Sequence, residues 1–143
     1  MAHAEGQVTV QRPVKDVFAF VLEGTNNPRW RSGVLDIERV KGSPSGVGAA
    51  YTQGMKGPGG RISADYEIVE LTANAFIKFQ VTAGPARPTG SYTFQAKGES
   101  TTVTFVLDFQ PKGLARLMNG MIENQMRAEI AALSKLKECL ERT

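Results

Sequence analysis

The sequence is short of the residues that most catalytic and metal chemistry uses. Its 143 residues include one cysteine, one histidine and one tryptophan. Lone Cys139 excludes an intramolecular disulfide and any multi-cysteine metal site. His3, close to the N-terminus, is the single imidazole, which removes zinc hydrolysis and Ser–His–Asp or Cys–His nucleophilic arrangements. No metal and no cofactor is therefore expected. No apolar run approaches the ~18 residues of a membrane span, so no transmembrane segment is expected. Met1 to Gln7 shows no basic region followed by an apolar stretch, so no secretory signal is expected and a cytoplasmic location is the default. The 17 basic residues interleave with 14 acids for a net charge of +3, and pairs such as Arg29/Arg31 or Arg39/Lys41 form no basic stripe. A nucleic-acid partner is not expected on that pattern.

Composition is that of an ordinary globular chain, 41% hydrophobic and 22% charged. With no repeat, linker or low-complexity tract, residues 1–143 read as one domain, which at this size buries roughly 68–70% of its unfolded surface. Gln7 to Gln11 alternates as a short strand. Pro13 then opens a helix in which Val14, Val17, Phe18 and Val21 recur at helical spacing, and Gly24 stops it. Asn26-Asn27-Pro28 caps a second, very short helix carrying Trp30. Strands follow at Val34 to Lys41 and Gly48 to Met55, and then, after the glycine-rich stretch from Gly54 to Gly60, over Arg61 to Leu71. In that last run Ile62, Ala64, Tyr66 and Ile68 face one way, while Ser63, Asp65 and Glu67 face solvent. Ile77 to Val81, Gly90 to Lys97 and Val103 to Phe109 complete the strands, joined by hairpins that imply an antiparallel sheet.

The C-terminal residues then change period. From Pro111 to Arg142 the chain reads as one long amphipathic helix, with Leu114, Met118, Met121, Gln125, Ala132, Leu136 and Cys139 within roughly 40° of one meridian. Such a helix is roughly 45 Å long, more than a small core needs as a cap. A curved sheet wrapped around it, with a hollow between, is the expected α+β architecture.

This order of elements, with Pro13-Val-Lys-Asp-Val-Phe-Ala-Phe20, Asn27-Pro-Arg-Trp30, Gly46-Val-Gly48, Tyr66-Glu-Ile-Val-Glu70 and Thr101-Thr-Val-Thr-Phe105, resembles the START-like SRPBCC superfamily, in particular its polyketide cyclase/dehydrase branch. The resemblance implies a helix-grip fold: a seven-stranded antiparallel sheet around a long C-terminal helix, two short helices between strands 1 and 2, and a cavity. It does not imply one chemistry, because the superfamily includes carriers, hormone receptors, aromatase/cyclases and oxygenase subunits. Rieske-type oxygenase subunits need two histidines and a carboxylate for iron, so His3 alone excludes that activity.

The glycine-rich stretch from Gly54 to Gly60 lacks the following helix and the Lys-Ser/Thr pair of a phosphate loop, and reads as a hairpin. The sequence favours a domain that binds a hydrophobic small molecule: a lipid, a polyketide or an aromatic metabolite. The expected lining is Trp30, Tyr51, Met55, Tyr66, Phe79, Tyr92, Phe94, Phe105, Met118, Met121 and Gln125. Gln125 sits near the centre of the expected inward helical face, where its amide needs a partner. Methionines suit a pocket of irregular shape, though they fill cores equally well. The alternative is a metal-independent enzyme that cyclises or dehydrates a polyketide-like substrate, with Tyr66, Tyr92 and Glu129 as first acid–base candidates. Against it stands the lack of a concentrated set of inward ionisable groups. Glu129 is expected to be partly buried and to pair with an arginine of the sheet. A third reading is a filled-core scaffold or dimerisation module, and a homodimer is left open.

Overall fold

The computed structural model describes residues 2–43, 46–57, 59–84, 87–110 and 119–142, the side chains of 2, 119, 121 and 122 excepted. Strand β1 (Ala2–Val10) leads into helix α1 (Val14–Leu22), a 3-10 turn (Gly24–Asn26) and the four-residue helix α2 (Asn27–Trp30). Seven strands follow: β2 (Val34–Lys41), β3 (Ala50–Gly57), β4 (Gly60–Ser63), β5 (Tyr66–Thr72), β6 (Phe76–Val81), β7 (Thr89–Lys97) and β8 (Ser100–Phe109). Helices α3 (Asn119–Ala131) and α4 (Leu133–Glu141) close the described chain. The sheet is antiparallel, in the order β1-β8-β7-β6-β5-β3-β2, with β4 paired to β3 beside that path. It curls around the helices, with the core on its concave side.

Three local expectations change. The first strand is longer than Gln7 to Gln11, because Ala2 to Val10 all find partners on β8, from Phe109 down to Thr101. The run from Arg61 to Leu71 is two strands. Between them Ala64 donates its N–H to the Gln53 carbonyl, and the Asp65 carboxylate accepts the Gln53 N–H (3.0 Å). Asp65 thus takes the place of a ladder partner and is half-buried rather than exposed. The long C-terminal helix is interrupted at Ala132, where the amide of Ala132 bonds the Glu129 carbonyl in a tighter turn (3.2 Å). Pro111 to Met118, the expected start of that helix, lie outside the described residues.

The inward helical face also differs. Met126, Leu133, Leu136 and Leu140 are buried, and Ile130 packs against the same core. The centre of this stripe lies roughly 90° from that of the expected one at 100° per residue, with Leu136 common to both. The rotation turns Gln125 outward, where it is exposed. Larger aliphatic side chains bury more apolar surface than the Gln125–Ala132–Cys139 line, at ~25 cal/mol per Å². One close approach fixes the contact: a Cβ on Gly6 of β1 would lie 2.4 Å from Ile130 Cγ2, so only glycine lets α3 sit this near the strand.

Candidate functional site

The concave face carries a band of aromatic rings from strand to strand. Tyr51 of β3 stacks on Tyr66 of β5 at 5.0 Å, Tyr66 meets Phe79 of β6 edge-on at 5.4 Å, and Phe79 lies 5.8 Å from Tyr92 of β7. Tyr92 stacks on Phe105 of β8 at 4.4 Å, and Trp30 of α2 presents an edge contact to both rings. Phe94 meets Phe18 of α1 at 5.2 Å. Alternation explains the band, because each residue holds an inward position on a neighbouring strand. Phe79 can lie flat there because its cross-strand partner is Gly90, where a Cβ would come within 2.1 Å of the ring.

Against this apolar floor stands a buried polar cluster. Arg31, following α2, is 8% exposed, and its Nε donates to Glu129 Oε2 of α3 at 2.5 Å. Asn27, one turn earlier on the same face, donates through Nδ2 to Gln53 Oε1 (3.0 Å) and to the Tyr66 hydroxyl (3.1 Å). Gln53 passes its own amide N–H to the Ala64 carbonyl at 3.3 Å. The Tyr51 hydroxyl accepts the Gly24 N–H at 3.4 Å. Among the described residues one buried side-chain polar atom lacks a partner, Trp30 Nε1. Burial pushes the Tyr66 hydroxyl far above the ordinary tyrosine range, with the Arg31 charge pulling the other way. Burial does the same to Tyr92, again opposed by Arg31 and reinforced by Glu129. Burial works against the charge on Arg31, yet Glu129 carries its pKa above the ordinary arginine value. At neutral pH the cluster is thus one fixed cation beside its counter-ion, with two neutral phenols.

A cavity of ≈ 10 Å³ opens among these groups, lined by Asn27, Arg31, Tyr66 and Tyr92 together with Val21, Leu22, Ile68, Ile77 and Phe79. That is about the space of one water molecule. A second, more open recess of ≈ 380 Å³ lies between α2 and helices α3 and α4, and Trp30 lines it beside Arg29, Ala128 and Lys135. Trp30 therefore separates the aromatic interior from this outer recess.

The structure brings Trp30, Tyr51, Tyr66, Phe79, Tyr92, Phe94 and Phe105 together in one buried cluster. Met55 is buried near Gly33, where a Cβ would lie 3.3 Å from its sulfur-borne methyl and 3.6 Å from Glu129 Oε1. Met118 and the side chain of Met121 lie outside the described residues. Exposed Gln125 is not part of the cluster. Glu129 pairs with an arginine, as expected, but one that follows α2 instead of one on the sheet. Three members were not read from the sequence: Asn27, Arg31 and Gln53. The signal was there. Asn27, Trp30 and Arg31 are spaced i, i+3, i+4, and Gln53 shares the parity of Tyr51 and Met55. Inward ionisable groups are therefore more concentrated than the sequence suggested. Among the described residues no group of three or more His, Cys, Asp or Glu side chains could hold a metal ion, and no helix is long and apolar enough to cross a membrane.

The chain belongs to the family of polyketide cyclases/dehydrases and lipid-transport proteins, whose model matches residues 1–141. No curated protein sequence matches it. A Thermus thermophilus structure shares 17% identity at a TM-score of 0.80, covering 96% of this chain and 95% of the other. The Zhui aromatase/cyclase from a Streptomyces species shares 17% identity at a TM-score of 0.77, covering 98% and 94%. A START superfamily protein from Mycobacterium smegmatis shares 14% identity at a TM-score of 0.74, covering 99% and 96%. At such identities the likeness is one of fold, and the fold is the START-like helix grip: a curled antiparallel sheet, C-terminal helix and short helices after β1.

Proposed function

We propose that this protein binds an apolar or amphipathic small molecule, such as a lipid, a polyketide or an aromatic metabolite, between its sheet and C-terminal helices in the cytoplasm. The observation that carries this reading is the buried polar cluster set against an aromatic floor, the usual make-up of a small-molecule pocket. The aromatic band supplies apolar surface for the body of the ligand. The ≈ 10 Å³ space among Asn27, Arg31, Tyr66 and Tyr92 takes one polar atom of the ligand, and the side chains around it must part to admit the rest. Trp30, with its unpartnered N–H, stands between this space and the outer recess. Glu129 already neutralises Arg31, so the preferred polar end is a neutral carbonyl or hydroxyl, because a carboxylate would bring a second, uncompensated negative charge. The family, which spans cyclases and lipid transport, agrees with this reading.

Native mass spectrometry of the purified protein, followed by extraction, tests the proposal directly. A co-purifying apolar molecule is expected. Because Trp30 is the single tryptophan, binding should also shift its fluorescence. Tyr92→Phe should weaken affinity by about tenfold, the ~1.4 kcal/mol of one buried hydrogen bond. A clean apo mass with no fluorescence change across lipid, polyketide and aromatic panels would sink the reading.

A second reading rests on the same residues. Two phenols kept protonated beside a fixed cation are proton donors near a charge that favours a developing enolate. That arrangement suits ring closure or dehydration of a poly-β-ketone, with Tyr66 or Tyr92 as acid. Glu129, the base candidate, is held by Arg31, so it must leave that pair to accept a proton. Incubation with a model poly-β-keto thioester, with products compared between wild type and Tyr66→Phe, separates catalysis from carriage. Identical product distributions would leave only binding.

A further inference from the structure

Charge is distributed differently in the two hollows on either side of Trp30. In the inner one the Arg31 guanidinium is already met by Glu129. The outer recess is lined by two cations, Arg29 and Lys135, and by no acid among the described residues. Arg29 is exposed and lies over the Phe20 ring at 5.1 Å, with no carboxylate partner among the described residues. That ring contact leaves it N–H donors to spare. Lys135 pairs with Glu138 at 3.6 Å, but the two side chains are 52% and 47% exposed, so the pair holds the ammonium weakly. The Ser134 hydroxyl is spent on the Ala131 carbonyl at 3.1 Å, so Arg29, Lys135 and Ser32 are the side-chain donors the recess offers beside Trp30. Ala128, Ala131 and Ala132, where α3 gives way to α4, are small enough to leave ≈ 380 Å³ open. That volume is in the range of small-molecule sites.

Trp30 links the two hollows. It lines the recess, meets Tyr92 of the inner cavity edge-on at 6.3 Å, and is 1% exposed with its indole N–H unpartnered. A ligand acceptor beside it satisfies that group. We propose that the recess binds the carboxylate of the protein's ligand, which makes that ligand an amphipathic carboxylic acid with a neutral oxygen at its other end. The inference rests on the small-molecule reading above and narrows its ligand class. The carboxylate sits between Arg29 and Lys135, and the neutral oxygen reaches Tyr66 and Tyr92. The apolar body passes Trp30, whose ring turns aside to join the two spaces. The fork of Arg29, a single uncompensated cation, suits a singly charged carboxylate. Arg31, matched to Glu129 in the interior, has no charge left for one.

Two probes built on one ring system test the assignment: 2-naphthol, neutral at pH 7, and 6-hydroxy-2-naphthoate, which adds a carboxylate at the opposite end. Isothermal titration calorimetry of the wild type should show the acid binding about fivefold tighter, the upper end for an exposed ion pair. The advantage should shrink at about 0.5 M salt. Arg29→Gln with Lys135→Gln should bring the two probes to equal affinity and leave that of 2-naphthol unchanged, which also reports an intact fold. Ala131→Phe, an exposed change that fills the recess, should weaken the acid more than 2-naphthol. Equal affinities in the wild type, or an advantage of the acid that survives the double substitution, would overturn the carboxylate site and leave the small-molecule reading standing. Binding of neither probe would overturn it as well, and co-purification then decides the small-molecule reading separately.

Discussion

At the scale of single residues, the pair Arg31–Glu129 decides most. Both side chains are largely buried, 9% and 14% exposed, so each depends on the other for its charge. Glu129→Gln leaves the guanidinium in the interior without a counter-ion, and the expected cost is about 3–5 kcal/mol, read as a fall in the urea midpoint. Replacing both, as Arg31→Met with Glu129→Leu, removes the charge problem and should recover most of that loss. If the double variant is no more stable than Glu129→Gln, the cost lies in lost packing rather than in the stranded charge. The tyrosines give a second test. Unfolded tyrosines ionise near pH 10, whereas burial holds the Tyr66 and Tyr92 protons well above that. The unfolded chain therefore binds fewer protons at alkaline pH. The stability these neutral phenols contribute is complete below pH ~10 and is lost as pH climbs toward their raised folded values. Tyr66→Phe or Tyr92→Phe should each flatten the alkaline decline by up to ~1.4 kcal/mol per pH unit. Urea midpoints at pH 8, 9.5 and 11 would measure it, and an unchanged slope would count against the assignment.

At the scale of elements, α4 is tied to the end of β1 by its polar side as well as its leucines. Glu141 Oε2 accepts from Lys137 Nζ at 2.6 Å and from the Gln11 N–H at 2.8 Å, while Lys137 also donates to the Thr9 carbonyl at 2.9 Å. The Lys137 hydrogen bond, then that of Gln11, holds the Glu141 carboxyl below the ordinary glutamate value. Its contribution is thus present above the unfolded value of about 4.3 and is lost as pH falls through the lower folded one. Glu141→Gln should reduce the amide protection of Leu136 and Leu140 at neutral pH, and the difference from wild type should vanish near pH 3. Equal protection at pH 7 would show that the leucines alone hold α4. Elements such as these were legible in the sequence to different degrees. Period-2 alternation marked β6, β7 and β8 because each buries one face, and hairpin glycines marked the turns. The break between β4 and β5 was hidden because Ile62, Ala64, Tyr66 and Ile68 keep their alternation across it, and the side chain that makes the break, Asp65, reads as a solvent residue. The face of α3 was misjudged because its sequence has little amphipathic bias, and only contact with β1 chooses Met126 and Ile130, roughly 100–140° round the helix, over Gln125. The aromatic half of the site was visible for the same reason as the strands. Its polar half was legible in part: spacing sets Asn27, Trp30 and Arg31 on one face, and parity sets Gln53 beside Tyr51. That α2 meets α3 and β3 there is recorded by no local pattern.

At the scale of the whole molecule, one contiguous apolar cluster links α1, α2, the sheet, α3 and α4. Leu136 is 0% exposed within it, and α4 reaches the sheet through Leu133, Leu136 and Leu140, spaced to share one helical face. Leu136→Ala removes three methyl(ene) carbons from a packed site, and the expected cost is about 2–5 kcal/mol. That is a large share of the ~5–15 kcal/mol that typically holds a domain together, and lowers the melting temperature by roughly 6–15 °C. Two outcomes separate two pictures of the molecule. If the core is one cooperative unit, the loss is felt everywhere, and far-UV circular dichroism and Trp30 fluorescence report a single transition at one lowered midpoint. If α4 is an independent clasp, the dichroism of the helix is lost first, while Trp30, in edge contact with Tyr92 and Phe105, keeps those ring contacts and much of its native emission to a higher temperature. The shared cluster predicts the first: in a grip closed around one core, the sheet cannot keep its curl once the helix that fills it lets go.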